Sequence, residues 1–341
     1  MVSRAEYVDH RRPAAFPAFA GLLLTGGIAA TAMLFREATG IQTLSPLILS
    51  IVMGMVIGNI RRPSVQFHSG ITFSLKRLLR IGIVLLGLQI TLPQLLSLGL
   101  PGLLTVTVTL AASFIAVTLM GRALGVDRHL TGLIAAGTSV CGASAVIAAN
   151  AAIRGREEDV AYAVACVTIF GTLSMLAYPL LMLPLHLSPM AYGVWSGATI
   201  HEVAQVVAAT FQSGEIAGQF GTIAKLARIV LLAPLVMTLA ATLFRSPKSG
   251  AQNQESTPFP LFVLGFLAVV ALNSAVHIPQ AVVQHGNLLA TFLLSCGLAA
   301  MGLQTHMKQL AAQGLRPLLL GAFGWLFISG FGYLMVRLAP F

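Results

Sequence analysis

The sequence predicts an all-α polytopic membrane protein, and three observations carry that prediction. Hydrophobic residues fill 57% of the 341 positions and charged residues only 9%, against roughly 25% charged in soluble domains. Apolar windows of about 20 residues, the length with which a helix crosses roughly 30 Å of hydrocarbon, recur from end to end. The windows are solid runs, without the alternation of a transmembrane β-barrel.

Eleven windows follow one another at 16–35, 44–60, 78–95, 100–121, 130–150, 160–184, 190–211, 223–244, 259–277, 287–304 and 315–338. The first follows Arg11 and Arg12 in the manner of a signal peptide, but its run is longer than a signal core, so it is read as a helix. RLLRI (77–81) opens the third and is echoed by KLARI (225–229) opening the eighth. SVCGASA (139–145) in the fifth is echoed by LSCGLAA (294–300) in the tenth. Both pairs are five windows apart, an odd spacing that reverses helix direction. This pairing predicts a single integral membrane domain: an N-terminal tail and extra helix (1–40), then two inverted five-helix repeats at 41–186 and 187–341, as in many secondary transporters. The polar stretch RSPKSGAQNQESTP (245–258) reads as a linker within the second repeat. Two other echoes compete: GLQITLPQLLSLGL (87–100) with GLQTHMKQLAAQGL (302–315), and GTSVCGASAVIAA (137–149) with GATIHEVAQVVAA (197–209). The last pair is inverted only if both elements are re-entrant hairpins.

The formal net charge of +10 follows topology. With the N-terminus inside, the inner segments collect Arg4, Arg11, Arg12, Arg61, Arg62, Lys76, Arg77, Arg80, Arg122, Arg128, Arg245, Lys248, Lys308 and Arg316. That distribution argues against a nucleic-acid partner and places the N-terminus in the cytoplasm and the C-terminus outside. Cys141, Cys166 and Cys296 all fall within apolar windows, so neither a disulfide framework nor a CxxC metal site is expected.

Chemistry concentrates in two windows. GTSVCGASAVIAAN carries Thr138, Ser139, Cys141, Gly142, Ser144 and Asn150. Small residues of this kind serve close helix packing. They equally suit a helix that unwinds near Gly142, where freed N–H groups and hydroxyls coordinate a solute and a half-helix N-terminus attracts an anion. GATIHEVAQVVAAT places His201, Glu202 and Gln205 after Thr199. A zinc protease needs histidine where Gln205 stands, so a metal site is not expected. Glu202 is the one acidic residue inside any of the windows, and an intramembrane carboxylate marks a functional site by default. A purely structural ion pair is the alternative. Lys225 and Arg228, three apart, share a helical face. Either they snorkel to headgroups, or they face a polar cavity, attract an anion or neutralise Glu202.

The strings LSPLILSIVMGMVIGN, KRLLRIGIVLLGLQIT, GTSVCGASAVIAANAAIRG, WSGATIHEVAQVVAA and KLARIVLLAP resemble the bacterial YeiH-type family, whose members are named as sulfate exporters. More distantly, the 137–165 stretch and GATIHEVAQ are similar to the crossing helices of bile acid:sodium symporters and cation–proton antiporter-like transporters. That resemblance implies a core domain moving against a panel domain, with Ser139, Ser144, Asn150, Glu202 and Gln205 as ion or substrate contacts. The expectation is a secondary transporter of a small anion, sulfate or another sulfur oxyanion, in the bacterial inner membrane. In it residues 137–145 supply donors, Lys225 and Arg228 supply positive field, and His201 and Glu202 relay a proton or cation. Proton or sodium coupling is expected without a bound cofactor, and the small-residue faces leave a homodimer open. The rivals are a passive channel and a membrane-embedded enzyme using His201 and Glu202; enzymatic activity is not expected.

Overall fold

A chain this apolar must satisfy its backbone polar groups within itself, and it does so with helices alone among the described residues, which are 15–39, 45–239, 261–276, 278–305, 314–339 and 341. In the computed structural model the order is α1 (Ala15–Thr39), α2 (Pro46–Ile60), α3 (Val65–Phe73), α4 (Leu79–Leu85), α5 (Leu92–Leu96), α6 (Gly99–Ala123), α7 (Arg128–Ser139) and α8 (Ala143–Ile153). There follow α9 (Glu157–Leu181), α10 (Pro189–Thr199), α11 (Val203–Gln212), α12 (Glu215–Val230), α13 (Leu232–Thr238), α14 (Leu261–Ala275), α15 (Gln280–Gln304) and α16 (Leu315–Leu338). A π-helical turn (Ser74–Leu78) joins α3 to α4, and a 3-10 turn (Leu86–Gln89) follows α4. The linker at 245–258, the tail at 1–14 and most of the second copy of the GLQ echo (306–313) lie outside the described residues.

Eleven uninterrupted crossings are not what forms. Among the described residues, five helices, at Phe19–Thr39, Gly99–Ala123, Glu157–Leu181, Gln280–Gln304 and Leu315–Leu338, are long and apolar enough to cross a membrane. The windows 130–150 and 190–211 each divide into two half-helices, α7/α8 and α10/α11. The helical run that enters window 78–95 begins well before it, at Val65, because His68, Ser69, Lys76 and Arg77 depress hydropathy without ending the helix, and it stops within the window at Gln89, ahead of α5. α12 likewise starts at Glu215, ahead of the predicted 223.

The echo between 139–145 and 294–300 has no conformational counterpart. The first brackets a helix break and the second lies inside the continuous α15. RLLRI and KLARI also part company, since Arg77 and Arg80 are exposed, lying over the rings of Phe73 and Phe262, whereas Lys225 and Arg228 are sealed inside.

The helices sort into two groups by what they pack against. α1, α2, α3, α4, α14 and α15 pack on one another; α6 to α13 pack with α16. The groups meet where α11 touches α2 and α15. One apolar cluster crosses that boundary, with Ile51, Leu298 and Met301 on one side and Val203, Val206 and Val207 on the other. In the second group, Trp195 stacks on Tyr178 with centroids 3.9 Å apart and donates from Nε1 to the Ser329 carbonyl at 2.9 Å, tying α9, α10 and α16 together.

Close approach of α10 to α12 positions the site. A Cβ on Gly197 would stand 2.8 Å from the Ala224 Cβ and 3.0 Å from the Lys225 backbone nitrogen, so only glycine lets the helices touch here. Gly197→Leu is expected to push α12 outward and destabilise by about 1–3 kcal/mol, the usual cost of overpacking; a thermal melt of the variant in detergent reads it.

At the α7 N-terminus, Asp127 Oδ1 accepts from the His129 and Leu130 amides at 2.8 and 3.3 Å. Burial pushes its carboxyl up, but those amides and the His129 ring outweigh burial and hold it below the ordinary 3.8. The cap's contribution is therefore present above the unfolded value and lost as pH falls through the lower folded one. Asp127→Ala is expected to cost about 0.5–2 kcal/mol near neutrality, a gap that closes in melts taken at progressively more acid pH.

Candidate functional site

Two interrupted helices meet at the centre of the second group. After Ser139 the chain turns through Val140 and Cys141 to Gly142, whose φ of 65° and ψ of −128° belong to a region glycine reaches without a Cβ penalty. After Thr199 it runs extended through Ile200 (ψ 143°) to Glu202 (φ −106°, ψ 148°) before α11 begins. Each break exposes the free carbonyls of one half-helix and the free N–H groups of the next. Four helix ends, two partially negative and two partially positive, thus collect in one small volume.

The charged side chains are distributed to match. Lys225 Nζ donates to the carbonyls of Val140 and Ile200 at 2.8 and 2.7 Å. Arg228 Nε donates to Ser139 O at 2.6 Å, Nη1 to Ile200 O at 3.2 Å, and Nη2 to Thr138 O. Both cations therefore cover the carbonyl ends of α7 and α10. On the opposite polarity, Glu202 Oε1 accepts from the Ala143 amide, the first of α8, at 2.5 Å. The Glu202 amide donates to Gln205 Oε1 at 3.1 Å, and Gln205 Nε2 donates at 3.1 Å both to Thr168 O and to Thr172 Oγ1 on α9. Those two donor bonds orient the Gln205 amide.

Snorkelling is excluded for Lys225 and Arg228: both are 0% exposed. No salt bridge joins either to Glu202 among the described residues, so the structural ion pair is absent too. His201 and Ser139 are equally sealed, and both carry a buried polar atom, Nδ1 and Oγ respectively, without a partner. The Glu202 side is different. Glu202 and Ala143 are half-buried and Ser144 is exposed. The carboxylate is half-buried, whereas the two cations are fully buried.

The structure thus brings together Thr138, Ser139, Cys141, Gly142, Ser144, His201, Glu202, Gln205, Lys225 and Arg228. Thr138 contributes through its carbonyl, and Cys141 is buried within the break. Asn150 stands apart, at the far end of α8, where Oδ1 accepts from the Gly155 amide at 2.8 Å. The Thr199 hydroxyl turns back to the Trp195 carbonyl at 2.7 Å. Thr168 and Thr172 escaped the sequence reading. Their spacing of four, one face of a helix, is the signal that marks them.

The fold and this site define an integral membrane protein organised around two facing helix breaks. The chain belongs to the family described as conserved hypothetical protein 698, whose model matches residues 20–321, the same UPF0324 family that includes YeiH. It is 43% identical to a UPF0324 membrane protein of Pseudomonas aeruginosa over 94% of both chains. It is 40% identical to the UPF0324 inner membrane protein YeiH of Salmonella typhi over 84% of both chains. A UPF0324 membrane protein of Corynebacterium glutamicum is 38% identical over 89% of this chain and 87% of its own. No solved structure matches the chain.

Proposed function

We propose that the protein is a secondary active transporter of a small anion, sulfate or a related sulfur oxyanion, in the bacterial inner membrane, and that it is not an enzyme. The observation that carries this reading is the charge arrangement at the breaks. Two sealed cations cover the carbonyl ends of α7 and α10, and a single half-buried carboxylate occupies the electropositive end of α8. An anion reaching the breaks seeks the same Ala143 N–H and the same helix end that Glu202 now holds. Substrate and carboxylate therefore compete. Protonation of Glu202 removes its charge from the α8 end and admits the anion, which links solute binding to a proton. Lys225 and Arg228 supply the background field, while the orphaned Ser139 hydroxyl and His201 Nδ1 are donors or acceptors available to the solute.

Alternating access asks for two bodies, and the two helix groups, which share an apolar boundary at α11, α2 and α15, furnish them. We take the duplicated elements to be 137–149 and 197–209, an echo in which each copy divides into two half-helices. The inner-membrane assignment draws on the name of the YeiH relatives. The test is uptake of labelled sulfate, sulfite and thiosulfate into proteoliposomes under imposed pH or sodium gradients. Saturable uptake driven by an inward proton gradient is expected. Flux that never saturates would make the protein a channel, and no uptake or exchange under any gradient would remove the proposal.

A further inference from the structure

We propose a second ligand site, distinct from the helix breaks: a cavity between the end of α6 and the start of α7 that holds the phosphate of an anionic phospholipid. Arg122, Arg128, Thr118, Thr131, Phe114 and Val126 line it. Arg122 lies in the last turn of α6 and Arg128 opens α7, so the two guanidinium groups enter from a membrane–water boundary, the depth at which lipid phosphates sit. Arg316, in the first turn of α16, adds a third cation, its Nη1 3.4 Å from where a Cβ on Gly125 would stand. The acidic residue on the connecting loop, Asp127, is turned to the amides of His129 and Leu130 and pairs with the His129 ring at 3.4 Å. Three arginines and one carboxylate thus lie around this turn.

The depth of the cavity selects a lipid over a soluble phosphate. Phe114, Thr118 and Arg122 recur every four residues on one face of α6, so the lining runs from a guanidinium to an aromatic ring over about 12 Å of helix rise. The Thr118 hydroxyl donates to the Phe114 carbonyl at 2.7 Å, and the Thr131 hydroxyl donates to Val126 O at 3.4 Å. Below the arginines, then, the wall presents carbon. Ile115 and Leu119, beside it on α6, are 58% and 57% exposed, which opens the apolar end toward hydrocarbon. A headgroup phosphate held by arginines with an acyl chain laid along Phe114 fits both ends; inorganic phosphate fits only one. Basic pockets between membrane helices recognise anionic headgroups by this chemistry.

The experiment uses the full chain, purified in neutral detergent and stripped of lipid, with thermal shift and native mass spectrometry as readouts. Phosphatidylglycerol is expected to raise the melting temperature and to stay bound; phosphatidylcholine and glycerol 3-phosphate are expected to do neither. At about 1 kcal/mol per arginine, Arg122→Gln should weaken phosphatidylglycerol binding about fivefold and the Arg122→Gln/Arg128→Gln pair about 25-fold. Arg36→Gln, at the end of α1, should leave it unchanged. Thr118→Phe keeps every charge and fills the apolar wall, so loss of binding in that variant supports the site even if the double variant does not fold. An equal response to glycerol 3-phosphate makes the site one for a soluble anion and overturns the lipid proposal. So does an equal response to phosphatidylcholine, or undiminished binding in the arginine and Thr118→Phe variants.

Discussion

Arg228→Met is expected to be the most destabilising single change in the chain. The guanidinium serves three carbonyls at once, those of Thr138, Ser139 and Ile200, with no surface exposure. Methionine fills much of the same volume but donates nothing. Thr138 and Ser139 then lose the partner of their carbonyls at a helix end that cannot continue its own ladder. Leaving a buried acceptor unsatisfied costs about 1–3 kcal/mol, and two at once take a large share of the roughly 5–15 kcal/mol by which proteins are stable. Lys225→Met should cost less, because the Ile200 carbonyl keeps its bond from Arg228 and only Val140 is orphaned. Arg228→Lys should fall between wild type and methionine, since an ammonium retains the charge but lacks the planar fork that reaches three acceptors. Thermal unfolding in detergent orders the three variants. Should Arg228→Met melt close to wild type and yet abolish uptake, the arginine serves the solute and not the helix ends.

Fold class was legible because a bilayer imposes its demands on composition: 57% hydrophobic residues and 9% charged leave few other states open. The break at Gly142 was legible for a local reason, the density of small polar residues around a glycine. The second break was harder to see. Ile200 and Glu202 are ordinary helix formers, and what interrupts the helix there is a tertiary bargain: a carboxylate satisfies α8, and the freed Ile200 carbonyl accepts from α12. Nothing local reports that Lys225 will meet Val140 and Ile200, 85 and 25 residues away. From sequence the same lysine fits a headgroup, a cavity or an ion pair. The repeat register stays open among the echoes for a related reason. Similar strings such as SVCGASA and LSCGLAA share a need for small residues, but in α15 that need is packing, with Gly297 set against the Leu79 side chain of α4, and in the first string it is a turn.

Glu202→Gln is expected to separate folding from coupling. The glutamine oxygen can still accept from Ala143, so the cap on α8 survives and the melt should stay within about 1 kcal/mol of wild type. The ionisable group is gone. Exchange of labelled for unlabelled anion, which needs no net proton movement, should persist, while accumulation against a gradient under an imposed pH difference should fall to background. Glu202→Ala goes further, since it vacates the α8 end. It should lose about 0.5–2 kcal/mol through the missing cap, and in return its anion affinity, read by thermal shift with sulfate across pH, should no longer vary with pH. In wild type that affinity should rise as pH falls, because a proton on Glu202 and an anion at Ala143 favour each other, and linkage makes the effect reciprocal. If Glu202→Gln retained both gradient-driven accumulation and wild-type pH dependence, the carboxylate would be a helix cap and nothing more, and the coupling group would have to be sought at His201, whose Nδ1 is sealed at the breaks without a partner.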